Sequence, residues 1–337
     1  MTELTRFRLR TEHDLLALVP HTLGFHPEES LVVVALDRGG RPLVARTDIP
    51  DDPGDLCDGV DQLLVAAVRH GALTALVVAY SAESVVAEGA GGLLVLALEA
   101  RGIDVVCGIR ADGERWYPLE LAVAEPDDAL LDDGEAYDVR AHPFTADSVV
   151  RGHVTLGSRE ELRATLDPDP VLVGAVATAA ARLAPLPRRH AKLVREGQWL
   201  RRQVSSLAGR RRGHLAEVGA DWSAEAAARA VRDLQHQDLR DLVWCDLTRA
   251  TADDHAEVWR SLLRRTPAAQ SAPVAAVLAF AGWLAGHGAL AWCAVERARA
   301  EEPGNVLAGL VAQALEEALP PSSWTPMDPG SFPLSAG

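Results

Sequence analysis

Lysine occurs once, at Lys192, among 33 lysines and arginines. Alanine is abundant, so the imbalance reads as coding bias in a GC-rich genome rather than selection for guanidinium chemistry. Cysteine is also scarce. Cys57, Cys107, Cys245 and Cys293 lie far apart, with no CxxC or CxxH spacing. That pattern disfavours both a zinc site and a disulfide framework, and the four thiols are expected to be reduced and mostly buried. No apolar run approaches the roughly 20 residues needed to cross a bilayer. The opening MTELTRFRLRTEHD has no apolar stretch after its charges and does not read as a signal peptide. A cytoplasmic location is therefore expected. GxSxG, HExxH and P-loop signatures are all missing. Gly89-Ala90-Gly91-Gly92 lacks a following Lys-Ser/Thr and does not follow a strand. No metal and no cofactor is expected.

At 337 residues, with 48% apolar and 24% charged residues, the chain is long enough for two globular domains. The expected boundaries are 1–150 for an α/β domain, 151–325 for a helical domain and 326–337 for a flexible tail. In the first half, Arg6 to Arg10 alternates and fits a short edge strand. Thr11 is a plausible N-cap for a helix running to about Val19. Leu31 to Asp37 and Leu43 to Ile49 form two apolar runs around Arg38-Gly39-Gly40-Arg41-Pro42, the pattern of a β-hairpin. Leu56, Val60, Leu63, Leu64, Ala67 and Val68 make a helical stripe over Asp55 to His70. Leu73 to Tyr80 is a strand. Ser81 opens a helix that runs to Arg101, with an interruption expected near Gly91-Gly92. Ile103 to Arg110 is another strand, and Asp112-Gly113 turns the chain back through Arg115-Trp116-Tyr117. Strand–helix–strand order implies a parallel element. The predicted fold is an α/β N-terminal domain with a mixed sheet covered by helices, followed by an all-α C-terminal domain.

Residues 125 to 138 hold seven acids and no base, and read as a solvated loop. From Ser158 onward helical patterns dominate. Gly286, Ala291, Val295, Ala298 and Pro303 are spaced like the second half of a tetratricopeptide repeat, so a tetratricopeptide-like helical hairpin is expected beside a generic one.

Charge is distributed unevenly. The whole chain carries −15, which argues against a nucleic-acid footprint over its whole surface. Residues 1 to 150 hold 27 acids against 11 bases. Residues 182 to 212 hold ten bases against Glu196 alone. Within that block Arg188, Arg189, Arg201, Arg202, Arg210, Arg211 and Arg212 form a candidate basic docking patch. Docking onto acidic parts of the same molecule or onto a protein partner stands beside a solvated helix and contact with nucleic acid.

The stiffest sequence is Pro20-His21-Thr22-Leu23-Gly24-Phe25-His26-Pro27, where a helix is expected to stop at Pro20 and a loop to lead into a buried strand. His26 is the best single candidate, because an imidazole in a specified loop suits acid–base work or binding. Arg46 and Asp48 share a strand face and suit a polar ligand or a surface ion pair. Trp116, Tyr137 and His142 add aromatic and polar groups near the end of the first domain, as a pocket would.

Several segments together resemble one family. They are Leu15-Leu16-Ala17-Leu18-Val19-Pro20, Leu23-Gly24-Phe25-His26-Pro27 with Ser30-Leu31-Val32-Val33, Ala45-Arg46-Thr47-Asp48-Ile49-Pro50 and Arg115-Trp116. Tyr137-Asp138 with Ala141-His142-Pro143 follows, then Ala279-Phe280-Ala281-Gly282-Trp283-Leu284-Ala285-Gly286 and Leu319-Pro320-Pro321-Ser322-Ser323-Trp324. The ordered set is similar to the actinobacterial domain-of-unknown-function family 4192. The resemblance implies a cytoplasmic protein of one architecture and implies no activity. His21 stands where many relatives have an aromatic, which weighs against a two-histidine metal site. The residues favour a non-enzymatic binding, scaffold or regulatory protein, with a protein partner or small-molecule ligand at the Gly24-Phe25-His26-Pro27 loop. The alternatives are an enzyme on a small phosphorylated or nucleotide-like substrate, and nucleic-acid contact through residues 182–212.

Overall fold

Apolar side chains alternate along the strands so that both faces of one sheet are covered. A computed structural model describes residues 10–40, 42–122, 128–140, 142–145, 155–211, 221–328, 330, 332 and 334. The chain divides into two units, Glu3–Arg159 with Glu316–Leu319, and Glu160–Leu315 with Pro320–Gly337.

In the first unit six strands lie in the order β2-β1-β3-β4-β5-β6. They are β1 (Ser30–Asp37), β2 (Pro42–Asp48), β3 (Ala72–Tyr80), β4 (Asp104–Ala111), β5 (Arg115–Pro118) and β6 (Glu135–Ala136). β3 and β4 are parallel and the other pairings are antiparallel. The mixed sheet expected from the sequence is present. Leu31, Val33 and Ala35 of β1, with Ala75, Val77 and Ala79 of β3, face α2 (Pro53–His70) and α3 (Ser84–Glu99). Val32, Val34, Leu76, Val78, Tyr80, Ile109 and Trp116 face α1 (Glu12–Leu23) on the other side.

Helix α1 starts where expected. Thr11 Oγ1 accepts from the Asp14 backbone N–H at 3.2 Å, and Asp14 Oδ2 accepts from the Thr11 N–H at 3.2 Å, a capping box. Thr11→Ala should lower stability by about 1 kcal/mol, read from the urea midpoint. The helix does not stop at Pro20. It continues to Leu23 and ends at Gly24, which is left-handed at φ 82°. Pro20 lacks only one donor so close to the end, and Leu15 to Val19 are buried, so packing outweighs the missing bond. His21 therefore belongs to the last turn rather than to a loop.

Helix α3 runs through Gly91 and Gly92 without a break. Both glycines make room. A β-carbon on Gly91 would sit 2.6 Å from Leu119 Cδ1, and one on Gly92 2.8 Å from Leu121 Cδ1. The acidic stretch is not wholly a loop either. Asp128–Asp133 forms the short helix α4, and β6 follows. Arg115 fastens this segment by donating to the Asp133 and Gly134 carbonyls at 2.6 and 2.9 Å. Residues 6–9 of the expected edge strand lie outside the described residues.

The second unit is mainly helical. Its described helices are α5 (Arg159–Ala164), which begins at the last residue of the first unit's main stretch, α6 (Pro170–Ala180), α7 (His190–Arg211), α8 (Ala224–Leu234), α9 (Gln237–Asp241), α10 (Arg249–Leu263), α11 (Ala272–Ala285), α12 (Gly288–Glu301) and α13 (Val306–Glu316), whose last residue belongs to the first unit. Trp259, Leu262, Val274 and Leu278 are among its buried side chains. The segment after Pro320, whose part from residue 326 is expected to be flexible, is tied at several described points. Trp324 Nε1 donates to the Leu247 carbonyl at 2.9 Å, the Met327 N–H to the Cys245 carbonyl at 2.7 Å, and Leu334 is buried against Leu239 and Leu242. All four cysteines are free, with Cys57 exposed and Cys245 and Cys293 buried. Among the described residues, no helix is long and apolar enough to cross a membrane.

Candidate functional site

The first unit places three chain segments at one end of its sheet. β3 and β4 are parallel, so both deliver their C-terminal ends there, at Tyr80 and Ala111. β1 is antiparallel to β3, so it brings its start, Ser30, to the same end. A cleft of about 480 Å³ opens at this end, with His26, Glu28, Glu29, Tyr80, Asp112 and Tyr137 in its lining. Parallel strand ends without continuing hydrogen-bond partners are where open α/β sheets leave room for ligands.

The loop carrying His26 is held by its backbone. The His26 N–H donates to the Leu156 carbonyl at 2.9 Å, and the Leu156 N–H donates to the Gly24 carbonyl at 2.9 Å. Glu29 takes a left-handed φ of 39°, which a side-chain-bearing residue adopts only under constraint. Its carbonyl is fixed by the Ile49 N–H at 2.9 Å. Buried Ser30 donates its hydroxyl to the Glu28 carbonyl at 2.6 Å. Arg46 donates to Ser30 Oγ at 2.9 and 2.7 Å, meets Asp48 at 2.5 Å and lies over the Phe25 ring at 5.9 Å. Arg46 and Asp48 are thus committed to bracing the loop, and neither lines the cleft.

The His26 imidazole is half-buried and makes no hydrogen bond among the described residues. Burial first, and the Arg140 charge second, push its pKa below the ordinary histidine value. It is therefore neutral at neutral pH. Tyr80 lines the same cleft, and its hydroxyl is buried with no partner among the described residues. Burial holds that phenol well above its usual pKa, with a lesser contribution from Tyr137. Around them stand Glu28, Glu29, Asp112 and Asp138, against Arg140 as the only fixed cation of the lining among the described residues. Asp112 is kept below the usual carboxylate range. Burial opposes this, but the Arg115 and Glu114 N–H groups and the Tyr117 hydroxyl outweigh it.

The other candidates go elsewhere. His142 Nε2 lies 3.1 Å from Asp14 Oδ1, joining the α1 cap to the segment after β6. Trp116 is buried against the α1 side of the sheet, with Nε1 unpartnered among the described residues. His26 and Tyr137 share the cleft, whereas Arg46, Asp48, Trp116 and His142 do not line it. Tyr80 was missed because it ends an apolar strand and looks like core. Its one signal is a phenol at the C-terminal end of a parallel strand.

Part of the basic segment is also committed inward. Arg201 pairs with Asp246. Glu196 accepts from Arg229 and Arg232, both at 2.8 Å. Arg188, Arg189, Arg202 and Arg210 are exposed. Arg211 closes α7, and Arg212 lies outside the described residues.

Among the described residues, no group of three or more His, Cys, Asp or Glu is arranged to hold a metal ion. A family model described as a domain of unknown function, DUF4192, matches residues 13–322. No curated protein and no solved structure matches the chain.

Proposed function

The chain belongs to the DUF4192 family, a domain of unknown function, and on the chemistry of its own residues we propose that it is a non-enzymatic binding protein. Its ligand is a small molecule bearing a positive charge, and the site is the cleft beside Phe25-His26-Pro27. One observation carries this reading: the Tyr80 hydroxyl, in the lining of the cleft, is buried with no hydrogen-bond partner among the described residues, and the half-buried His26 ring stands in the same lining. A buried polar group without a partner costs about 1–3 kcal/mol, which a ligand that bonds it recovers. The acidic rim of Glu28, Glu29 and Asp138 favours a cation and disfavours a phosphate. An acid–base enzyme is less well supported. Asp48 is engaged with Arg46, and no carboxylate orients the His26 ring among the described residues.

Thermal-shift and calorimetric titration with amines, amino acids and nucleotides tests the reading. An amine-bearing compound should raise the melting temperature, and nucleotides should not. Affinity should hold through the ordinary histidine range and fall only at more acidic pH, because burial and Arg140 lower the His26 pKa and a proton there adds a repelling charge. Tyr80→Phe should stabilise the free protein by about 1 kcal/mol, since it removes an unbonded hydroxyl, while weakening the ligand at least tenfold. Binding unchanged in Tyr80→Phe and His26→Ala, or confined to nucleotides, refutes the reading.

The α11–α12 hairpin supports a repeat-like role for the second unit. Gly286 is left-handed at φ 89°, and a β-carbon on Gly282 would meet the Ala291 backbone at 3.4 Å. We read this close approach as tetratricopeptide-like and suited to a protein partner. Four free thiols accord with a cytoplasmic location.

A further inference from the structure

The protein as a whole is acidic, yet its 22-residue helix α7 shows an uncompensated basic face. At about 100° per residue, Lys192, Arg195, Arg202 and Arg210 fall within roughly 80° of arc. Arg188 and Arg189 stand just before the helix. All six are exposed. None forms an ion pair among the described residues, and Arg210 bonds only to Ser206. The buried side chains Leu200, Val204, Leu207 and Ala208 occupy a different arc, turned into the unit's core. Glu196, the one acid of the segment, is held by Arg229 and Arg232. The stripe from Lys192 to Arg210 is about 27 Å long at 1.5 Å per residue.

We propose that this face binds the phosphate backbone of duplex DNA without sequence preference. Arginine presents a planar fork that matches phosphate oxygens, and five of the six bases are arginine. Single strands are a poorer fit. Trp199 is the aromatic residue of α7, and it is covered by Arg229 at 3.9 Å, so it offers no free stacking platform. A lipid surface is a poorer fit as well, because the apolar side of α7 is already buried in the unit and cannot insert. Duplex RNA has a deep, narrow major groove closed to side chains, whereas the B-DNA major groove, about 12 Å wide, admits a helix. Residues 151–337 carry 21 acids against 22 bases, so the stripe sits in the half of the sequence that does not repel a polyanion.

Fluorescence anisotropy of the full chain with a labelled 24-base-pair duplex of mixed sequence, titrated with salt, tests this. Binding should weaken with salt at a log–log slope of about −4 to −5, near 0.9 per phosphate neutralised. A variant with Lys192, Arg195, Arg202 and Arg210 all replaced by glutamine should fold normally, because these side chains are exposed. It should lose at least 100-fold in affinity at 50 mM salt, and its slope should fall by about 3. Permuting the duplex sequence should leave affinity within a factor of three. No binding to DNA at 50 mM salt overturns the proposal. An unchanged slope in the variant does so too, as does tighter binding to duplex RNA or to phosphatidylserine vesicles than to duplex DNA.

Discussion

Leu119→Ala should lower the stability of the first unit by about 2–5 kcal/mol, seen as a reduced urea midpoint at unchanged slope. Leu119 is fully buried. It enters a space that two glycines leave open, Gly91 on α3 and Gly108 on β4. A β-carbon on Gly91 would stand 2.6 Å from Leu119 Cδ1, and one on Gly108 would stand 3.3 Å from the same atom. The leucine backbone is anchored too, since its N–H donates to the Gly108 carbonyl at 2.9 Å. An alanine leaves a cavity that the fixed backbone cannot close. The glycines sharpen the expectation. Gly91→Ala gains about 1 kcal/mol of helix propensity, yet collides with the leucine and should be destabilising in the wild-type chain. In the Leu119→Ala background the added methyl enters vacated space, and the same change should recover part of the loss. Additive effects in that double-mutant cycle would refute the plug-and-socket account.

The second large effect lies in the helical unit and depends on pH. Asp233 is completely buried beside Glu196, Arg229 and Arg232. Burial pushes its pKa up to about 6. Arg232 and Arg229 pull the value down and the Glu196 charge pushes it up. Glu196 shifts the other way, below its usual range, because it is less enclosed and takes hydrogen bonds from both arginines. For this pair the enclosed carboxyl is the one that keeps its proton longer. Its folded pKa exceeds its unfolded value of 3.8. The folded chain therefore binds more protons between about pH 4 and pH 6, and stability from this group is present below pH 4 and lost as pH rises through 6. The swing is on the order of 3 kcal/mol. Asp233→Asn keeps an oxygen acceptor for Arg232 and removes the titration. The difference in melting temperature between variant and wild type should change steadily from pH 4 to pH 7, and a constant difference refutes the assignment.

Much of the sheet was legible because period-two burial on two covered faces leaves long apolar runs, as in Leu31–Leu36 and Ala75–Tyr80. The helix past Pro20 was not legible. Its continuation depends on Leu16 and Val19 packing against a sheet that local sequence does not display. The segment Asp128–Ala136 was hidden by its charge. Arg115 supplies the carbonyl contacts that order its end, and Gly134 takes a left-handed φ of 60° against the Tyr117 ring. Of the site, His26 and Tyr137 stood out because a specified loop and an aromatic near a composition break are local signals. His142 could not be assigned, because its partner Asp14 is 128 residues away. Arg46 and Asp48 were rightly seen as sharing a strand face. That the pair serves the loop through Ser30, rather than a ligand, follows only from the bend of the chain at Glu28 to Ser30.

The strand order β2-β1-β3-β4-β5-β6 has a consequence for synthesis on the ribosome. Every strand pairs with one already made by the time it emerges, so the sheet grows in step with the nascent chain and never waits for a distant partner. The exception is the short bridge between Phe25 and Leu156, which ties the histidine loop down from more than a hundred residues downstream. The scaffold's pairings thus precede the latch on the histidine loop, so a chain ending near residue 140 and released from the ribosome would hold all six strands beside an unfastened loop.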